Sequence, residues 1–337
     1  MSPRERVEAV LKGELPDTVP VVPVVDGYHA PRVLGVPNWE CFLNPDKMGD
    51  AILSALQHYG YDGAVVEMGI GYSGRVLGCR VEVEGKDVPL FVGNLINTPE
   101  DLEKLQVPDP WEEDKMLPVE KVVEEAGDRY YILGAVRAPF EIACIVRGYV
   151  SLLGDIYDTP DFVHEIIERS EKITLELGRA MIEAGVDAIL LRDSLASSSV
   201  ISPGHYHEFA HPYEVRVIKE FRKKVRVVLH ICRNAAPILE SMANTGADVL
   251  EIDSPVNLGE AKQQVGDRVV LKGNIDSVEV IERGSAEVVE EAVKECMQAA
   301  KEGGRYILST GDSVPRAAPP ENLHTLVKAG RKFGGYA

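Results

Sequence analysis

Short runs rich in Val, Ile and Leu recur between longer helical stretches, and this rhythm limits the chain to few architectures. Eight runs fall at 19–25, 63–67, 131–136, 188–192, 225–231, 248–252, 268–272 and 305–309. Helix signals separate most of them. Thr159-Pro160 is an N-cap followed by proline at the first helical position, opening a helix that should end at Gly185. Ser202-Pro203 repeats the device, and Ser285 opens a helix running towards Gly303. Eight strands with crossover helices predict an α/β fold, a closed (β/α)8 TIM barrel formed as one domain over 1–337. An open doubly wound sheet is the alternative.

Two stretches leave this rhythm. Arg75 to Val92 alternates apolar and polar residues around Glu84-Gly85-Lys86-Asp87, which predicts a β-hairpin inserted after strand two. Residues 26–50, with Pro31, Pro37 and Pro45, form an irregular excursion after strand one. Both extensions follow strand C-terminal ends, the face where barrel active sites lie.

The net charge is −18, from 36 basic and 54 acidic side chains. Such a field repels polyanions, so neither nucleic acid nor an anionic membrane surface is an expected partner. No apolar run approaches the ~18 residues of a bilayer span, and the polar N-terminus has no signal-peptide pattern. Five scattered cysteines form no disulfide framework and fit a reducing cytoplasm.

In a barrel, the residues just after each run face the active site. They are Asp26, Glu67, Arg137, Asp193, His230 with Cys232, Asp253, Asn274 and Asp312. Each has a plain explanation when taken alone. Asp253 suits a helix N-cap, and Glu67 and Arg137 can simply pair. Together they make an unusually charged ring. Glu67, Arg137 and Asp193 are the candidate catalytic groups. Asp26, Ser194, Ser197 and Asn274 are the candidate substrate contacts. Ser194 and Ser197 lie in a hydroxyl-rich loop that reads equally as a solvated cap for the next helix. No G-x-G-x-x-G, P-loop or G-x-S-x-G pattern occurs, so a nucleotide cofactor and serine hydrolysis lack support.

His230 and Cys232 are two apart at a strand end, so imidazole and thiol point the same way. Both suit zinc, although a buried histidine beside a small hydrophobic cysteine explains the pair as well. A catalytic zinc needs a third protein ligand, and Asp312 after the last strand is best placed. Glu251, Asp253 and Glu67 are rivals.

The chain resembles the uroporphyrinogen decarboxylase superfamily over nearly its full length. The matching segments are Arg4-Glu5-Arg6-Val7 to Pro20, Arg147-Gly148 to Asp161, and Asp193-Ser194 to Pro203. The carboxyl half adds His230-Ile231-Cys232, Lys272 to Asp276, and Gly311 to Pro320-Glu321-Asn322. The resemblance implies a (β/α)8 barrel and allows a homodimer. Decarboxylases of this family carry an arginine cluster after strand one; here Val24 to Arg32 lacks it. The chain looks more like the corrinoid-dependent methyltransferase branch. Its members bind zinc through His-x-Cys and a later cysteine, and exchange methyl groups with a corrinoid on a separate corrinoid-binding protein. Asp312 stands in place of that later cysteine, and Arg233 where those proteins usually have glycine.

A carboxylate in place of a thiolate makes a harder zinc, better suited to polarising an oxygen than to holding a thiol. The expected activity is therefore methyl transfer from a small methylated substrate, such as a methoxylated aromatic compound, to the corrinoid. Thiol methylation by the same branch, a metal-free decarboxylase and a non-catalytic tetrapyrrole-binding barrel are the alternatives.

Overall fold

The computed structural model describes residues 1–67, 69–82, 85 and 89–336. Seven parallel strands form one sheet: β1 (Gly63–Val66), β4 (Tyr131–Arg137), β5 (Ala188–Arg192), β6 (Arg226–Ile231), β7 (Val249–Ile252), β8 (Val270–Ile275) and β9 (Tyr306–Thr310), in that spatial order. Seven of the eight predicted runs are thus strands. The first run, 19–25, is not a regular one. Pro20 and Pro23 have no N–H to donate, so a continuous ladder cannot form there. The segment still closes the barrel. Val22 N–H donates to the Leu308 carbonyl at 2.8 Å, Leu308 N–H to Pro20 at 2.9 Å, and Asp62 N–H to Val21 at 2.7 Å.

Inside the barrel, Val22, Val24, Val65, Leu133, Leu190, Val228, Val249, Val270 and Ile307 pack as an apolar filling, and Val7 and Val10 of the helix Pro3–Lys12 plug its base. Each such side chain contributes about 1.5–3 kcal/mol on burial. The outer core lies between strands and helices, and its longest helix is Pro160–Glu183. That helix ends where expected, with Gly185 at φ +98°. Its start differs: the Thr159 side chain makes no capping bond. Ser202 does cap a turn, accepting from His205 N–H at 3.1 Å, but the turn is short and leads through a π-helical segment into His211–Phe221.

Within 75–92, where a hairpin is expected, two short segments pair antiparallel, β2 (Val81–Glu82) and β3 (Leu90–Phe91), with Val81 opposite Phe91. The expected tip, apart from Gly85, lies outside the described residues. Arg75 and Val76 belong to the preceding helix Ile70–Val76 rather than to an arm. Among the described residues, no helix is long and apolar enough to cross a membrane.

Candidate metal centre

Above the apolar filling the barrel interior turns ionic. Arg137, Arg192, His230, Glu251 and Lys272 are partners in register on β4, β5, β6, β7 and β8, and form one rung across five adjacent strands. In-register parallel neighbours face the same side, so the rung brings five polar side chains together. All five are buried. Burying such charges is tolerable only with partners. Lys272 pairs with Glu251 and donates to Ser309 Oγ at 2.9 Å. Arg192 pairs with Glu67 at 2.7 Å, with Asp312, and more distantly with Asp26 at 3.6 Å. Arg137 pairs with Glu67 and with Glu141 at 2.9 Å.

Two residues beyond His230 the strand ends at Cys232. His230 Nε2 lies 3.0 Å from Cys232 Sγ and 3.7 Å from Asp312 Oδ1, and the thiol lies 3.2 Å from Asp312 Oδ2. One ligand atom from each of the three residues falls within 4.8 Å of the others. Behind the imidazole, Glu251 Oε1 is 3.0 Å from Nδ1, though off the line of a well-directed hydrogen bond. Gly311 lets the Asp312 loop reach this position: a Cβ there would stand 2.5 Å from Asp253 Oδ1.

The charges are tuned by the same neighbours. Burial opposes a charged His230, but Cys232 and Glu251 outweigh it and raise its pKa to about 10. Burial also opposes a charged Glu251, yet Lys272 and His230 bring it down to about 2. Asp312 resists burial in the same way and stays well below the usual carboxylate range beside Arg192 and His230. Burial pushes Lys272 down from its usual value, against the pull of Glu251. An imidazole that takes up a proton beside a thiol and a carboxylate is one that a divalent cation can deprotonate and occupy.

The three ligand types fit zinc. Nδ1 faces a carboxylate and Nε2 faces the cluster, the arrangement that fixes a ligating histidine. Cys232 and Asp312 open onto a cavity of about 660 Å³ at the barrel mouth, which leaves room for a further ligand. Tyr28, Tyr149, Leu195 and Val200 supply an apolar wall, and Arg137, Arg192 and Arg233 supply cations.

The sequence candidates divide into three groups. Arg137, Ser194, Cys232 and Asp312 line the cavity. Glu67, Asp26 and His230 lie one layer beneath it, with Glu67 held by both arginines and Asp26 accepting from Ser313 Oγ at 2.6 Å. Asp193, Ser197 and Asn274 are not brought to the cavity wall. Asn274 braces a neighbouring loop through Val256 O at 2.7 Å, and Ser197 Oγ accepts from Ser199 N–H at 3.2 Å. Asp253 does not cap a helix; it accepts from Arg233 and Ser254 N–H groups, while Asn257 caps Leu258–Val265.

Asp193 is buried beside Glu214, whose carboxylate accepts from Tyr206 at 2.6 Å. Burial pushes Asp193 well up and Glu214 to about 7, so the folded pair retains a proton that an unfolded glutamate releases near 4.5. The unfolded chain then binds fewer protons, and the contribution of Glu214 to stability falls as pH rises from about 4.5 to 7. Glu214→Gln is expected to flatten that fall, by up to ~1.4 kcal/mol per pH unit, in urea melts across this window. An unchanged slope would show that Glu214 holds no proton across this window.

Arg192, Glu141, Lys272 and Ser313 complete the site and were not singled out from sequence. For Arg192 and Lys272 the available signal was a long cation at the end of, or within, an apolar run, Ala188–Arg192 and Val270–Ile275.

A closed barrel with a charged mouth is a common enzyme scaffold, and similarity to known proteins narrows it. The chain belongs to the uroporphyrinogen decarboxylase (URO-D) family, whose profile matches residues 2–333. It is 24% identical to the uroporphyrinogen decarboxylase of Coxiella burnetii over 311 residues, covering 88% of this chain and 85% of that one. It is 25% identical to a methylcobamide:CoM methyltransferase of Methanosarcina mazei over 343 residues, covering 98% of both. A methylated-thiol–coenzyme M methyltransferase of that organism is 26% identical over 336 residues, covering 98% of this chain and 89% of its own. A solved methyltransferase structure from Methanosarcina mazei superposes with a TM-score of 0.87 at 25% identity, covering 99% of each chain.

Proposed function

We propose that this chain is a cytoplasmic, zinc-dependent methyltransferase that moves a methyl group between a small substrate and a corrinoid carried by a partner protein. The observation that carries the reading is the His230, Cys232 and Asp312 triangle opening onto the cavity. The favoured substrate is a methoxylated aromatic compound, giving O-demethylation. Zinc held by the triangle would supply Lewis acidity toward the substrate oxygen as its methyl leaves, and the corrinoid would supply the methyl acceptor.

The chain's own residues prepare that site. Glu251, itself fixed by Lys272, places its carboxylate 3.0 Å behind the imidazole. Arg192 draws charge away from Asp312, which leaves less on the ligand oxygen than an unpaired carboxylate would offer. That bias suits an oxygen leaving group better than a thiolate. Tyr28 and Tyr149 present aromatic surface to an aryl ring. Arg137, clamped between Glu67 and Glu141, keeps the opposite wall rigid.

Thiol methylation is the second reading, favoured by the activities named for the two methyltransferase relatives. The purified protein is expected to hold about one zinc per chain. With a reduced corrinoid protein it should demethylate members of a methoxyarene panel faster than it methylates thiols from methylcobalamin. Faster thiol methylation would reverse the assignment. Carbon dioxide release from a porphyrinogen, without methyl transfer, would replace it with decarboxylation.

A further inference from the structure

Arg233, the residue after Cys232, adopts φ +58°, in the left-handed region. A non-glycine residue pays about 1 kcal/mol or more for that conformation. Its backbone N–H donates to Asp253 Oδ2 at 2.7 Å, a bond that glycine would make equally well. The turn therefore gives no reason for a long cationic side chain. That side chain is exposed to solvent at the rim and lines the cavity.

The other two guanidiniums of the wall are neutralised, Arg137 by Glu67 and Glu141, and Arg192 by Glu67 and Asp312. Arg233 makes no ion pair or hydrogen bond through its side chain among the described residues. None of the acids on the same wall pairs with it, and Asp253 and Asp276 are held by neutral donors and keep their charge. Asp253 accepts from two backbone N–H groups. Asp276 accepts from Val278 and Glu279 N–H and from Ser254 Oγ. Glu279 pairs with Arg283 at 2.5 Å.

We infer that Arg233 is an anion anchor, and that the substrate carries a carboxylate at the end remote from its reacting methyl group. A guanidinium binds a carboxylate through two parallel N–H···O bonds, which orients as well as attracts. Cys232 and Arg233 are adjacent in the chain and both line the cavity, so anchor and metal cluster face one space. The substrate class is then a methoxylated aromatic acid. This inference rests on the methyl-transfer reading for the identity of the reacting end, but not for the anion site.

The test is equilibrium binding of 3-methoxybenzoate and of its uncharged counterpart 3-methoxybenzamide to the zinc-containing protein, by calorimetry. The intact protein should prefer the acid by roughly tenfold or more. Arg233→Gly should remove that preference without lowering Tm, because glycine relaxes the left-handed turn. Arg233→Lys should keep part of it as a point charge. Equal binding of acid and amide by the intact protein, or a preference that survives Arg233→Gly, would overturn the anchor. A preference that depends on Arg233, with no methyl transfer from either compound, would leave the anchor standing and remove the methyl-transfer reading.

Discussion

Arg192→Met is expected to destabilise the protein by about 3–5 kcal/mol, the cost of removing one partner from a buried ionic cluster. Arg192 is only 4% exposed and serves Glu67, Asp312 and Asp26 at once. Methionine fills much of its volume, so packing changes little and the loss reports charge. Glu67 would keep Arg137 and Asp312 would keep His230, each with one cation fewer, and Asp26 would lose its cation. Burial already raises the Asp26 pKa, with Arg192 opposing the rise. In the variant, both aspartates should take up protons more readily, so the penalty should shrink as pH falls. Urea unfolding at neutral pH and near pH 4 measures both parts. A cost below about 1 kcal/mol, or one that grows in acid, would show that the cluster is not held by this residue.

If the triangle holds zinc, His230→Ala should leave the protein folded and unable to retain it. The Glu251–Lys272 pair survives the substitution, so no buried charge loses its main partner. What is lost is one of the three residues proposed to hold zinc. Metal content should drop below about a tenth of that of the unaltered protein, and methyl transfer with it. Glu251→Gln removes no ligand but releases the imidazole from its carboxylate, and should weaken zinc binding by about 10–100-fold. Metal analysis after dialysis orders the three proteins. Full retention of zinc in His230→Ala would end the metal centre as described.

The barrel was largely legible in the sequence because apolar strand runs alternate with helix signals over the whole length. The exception, 19–25, shows the limit of that signal. Valine content marks the segment as buried and extended, but Pro20 and Pro23 decide that it joins its neighbours through isolated bonds. His230 and Cys232 were legible because a spacing of two fixes a common direction in a strand. Asp312 is 80 residues from Cys232, and its approach depends on a loop passing Asp253 at Gly311. Asp193, Ser197 and Asn274 have suitable chemistry at suitable chain positions. Whether such a side chain faces a cavity or a neighbouring loop is set by backbone angles beyond the strand, which residue type alone does not encode. Arg192 and Lys272 were overlooked for the opposite reason. They lie within strands, where long cations are unexpected until their partners on other strands are known.

The ionic rung has a consequence for how the chain finds its fold. A slip of one residue along any of its strands would turn that strand's inward face outward. It would withdraw a charge from the rung and put an aliphatic side chain opposite the remaining ions. Arg192 would lose Glu67, or Lys272 would lose Glu251, and the penalty would be paid in buried, unmatched charge. An all-valine interior would tolerate such slips far better, since one branched side chain resembles another. The rung therefore acts as an alignment key for five strands. His230 belongs both to that rung and to the triangle at the barrel mouth, so the register of β6 fixes the two together.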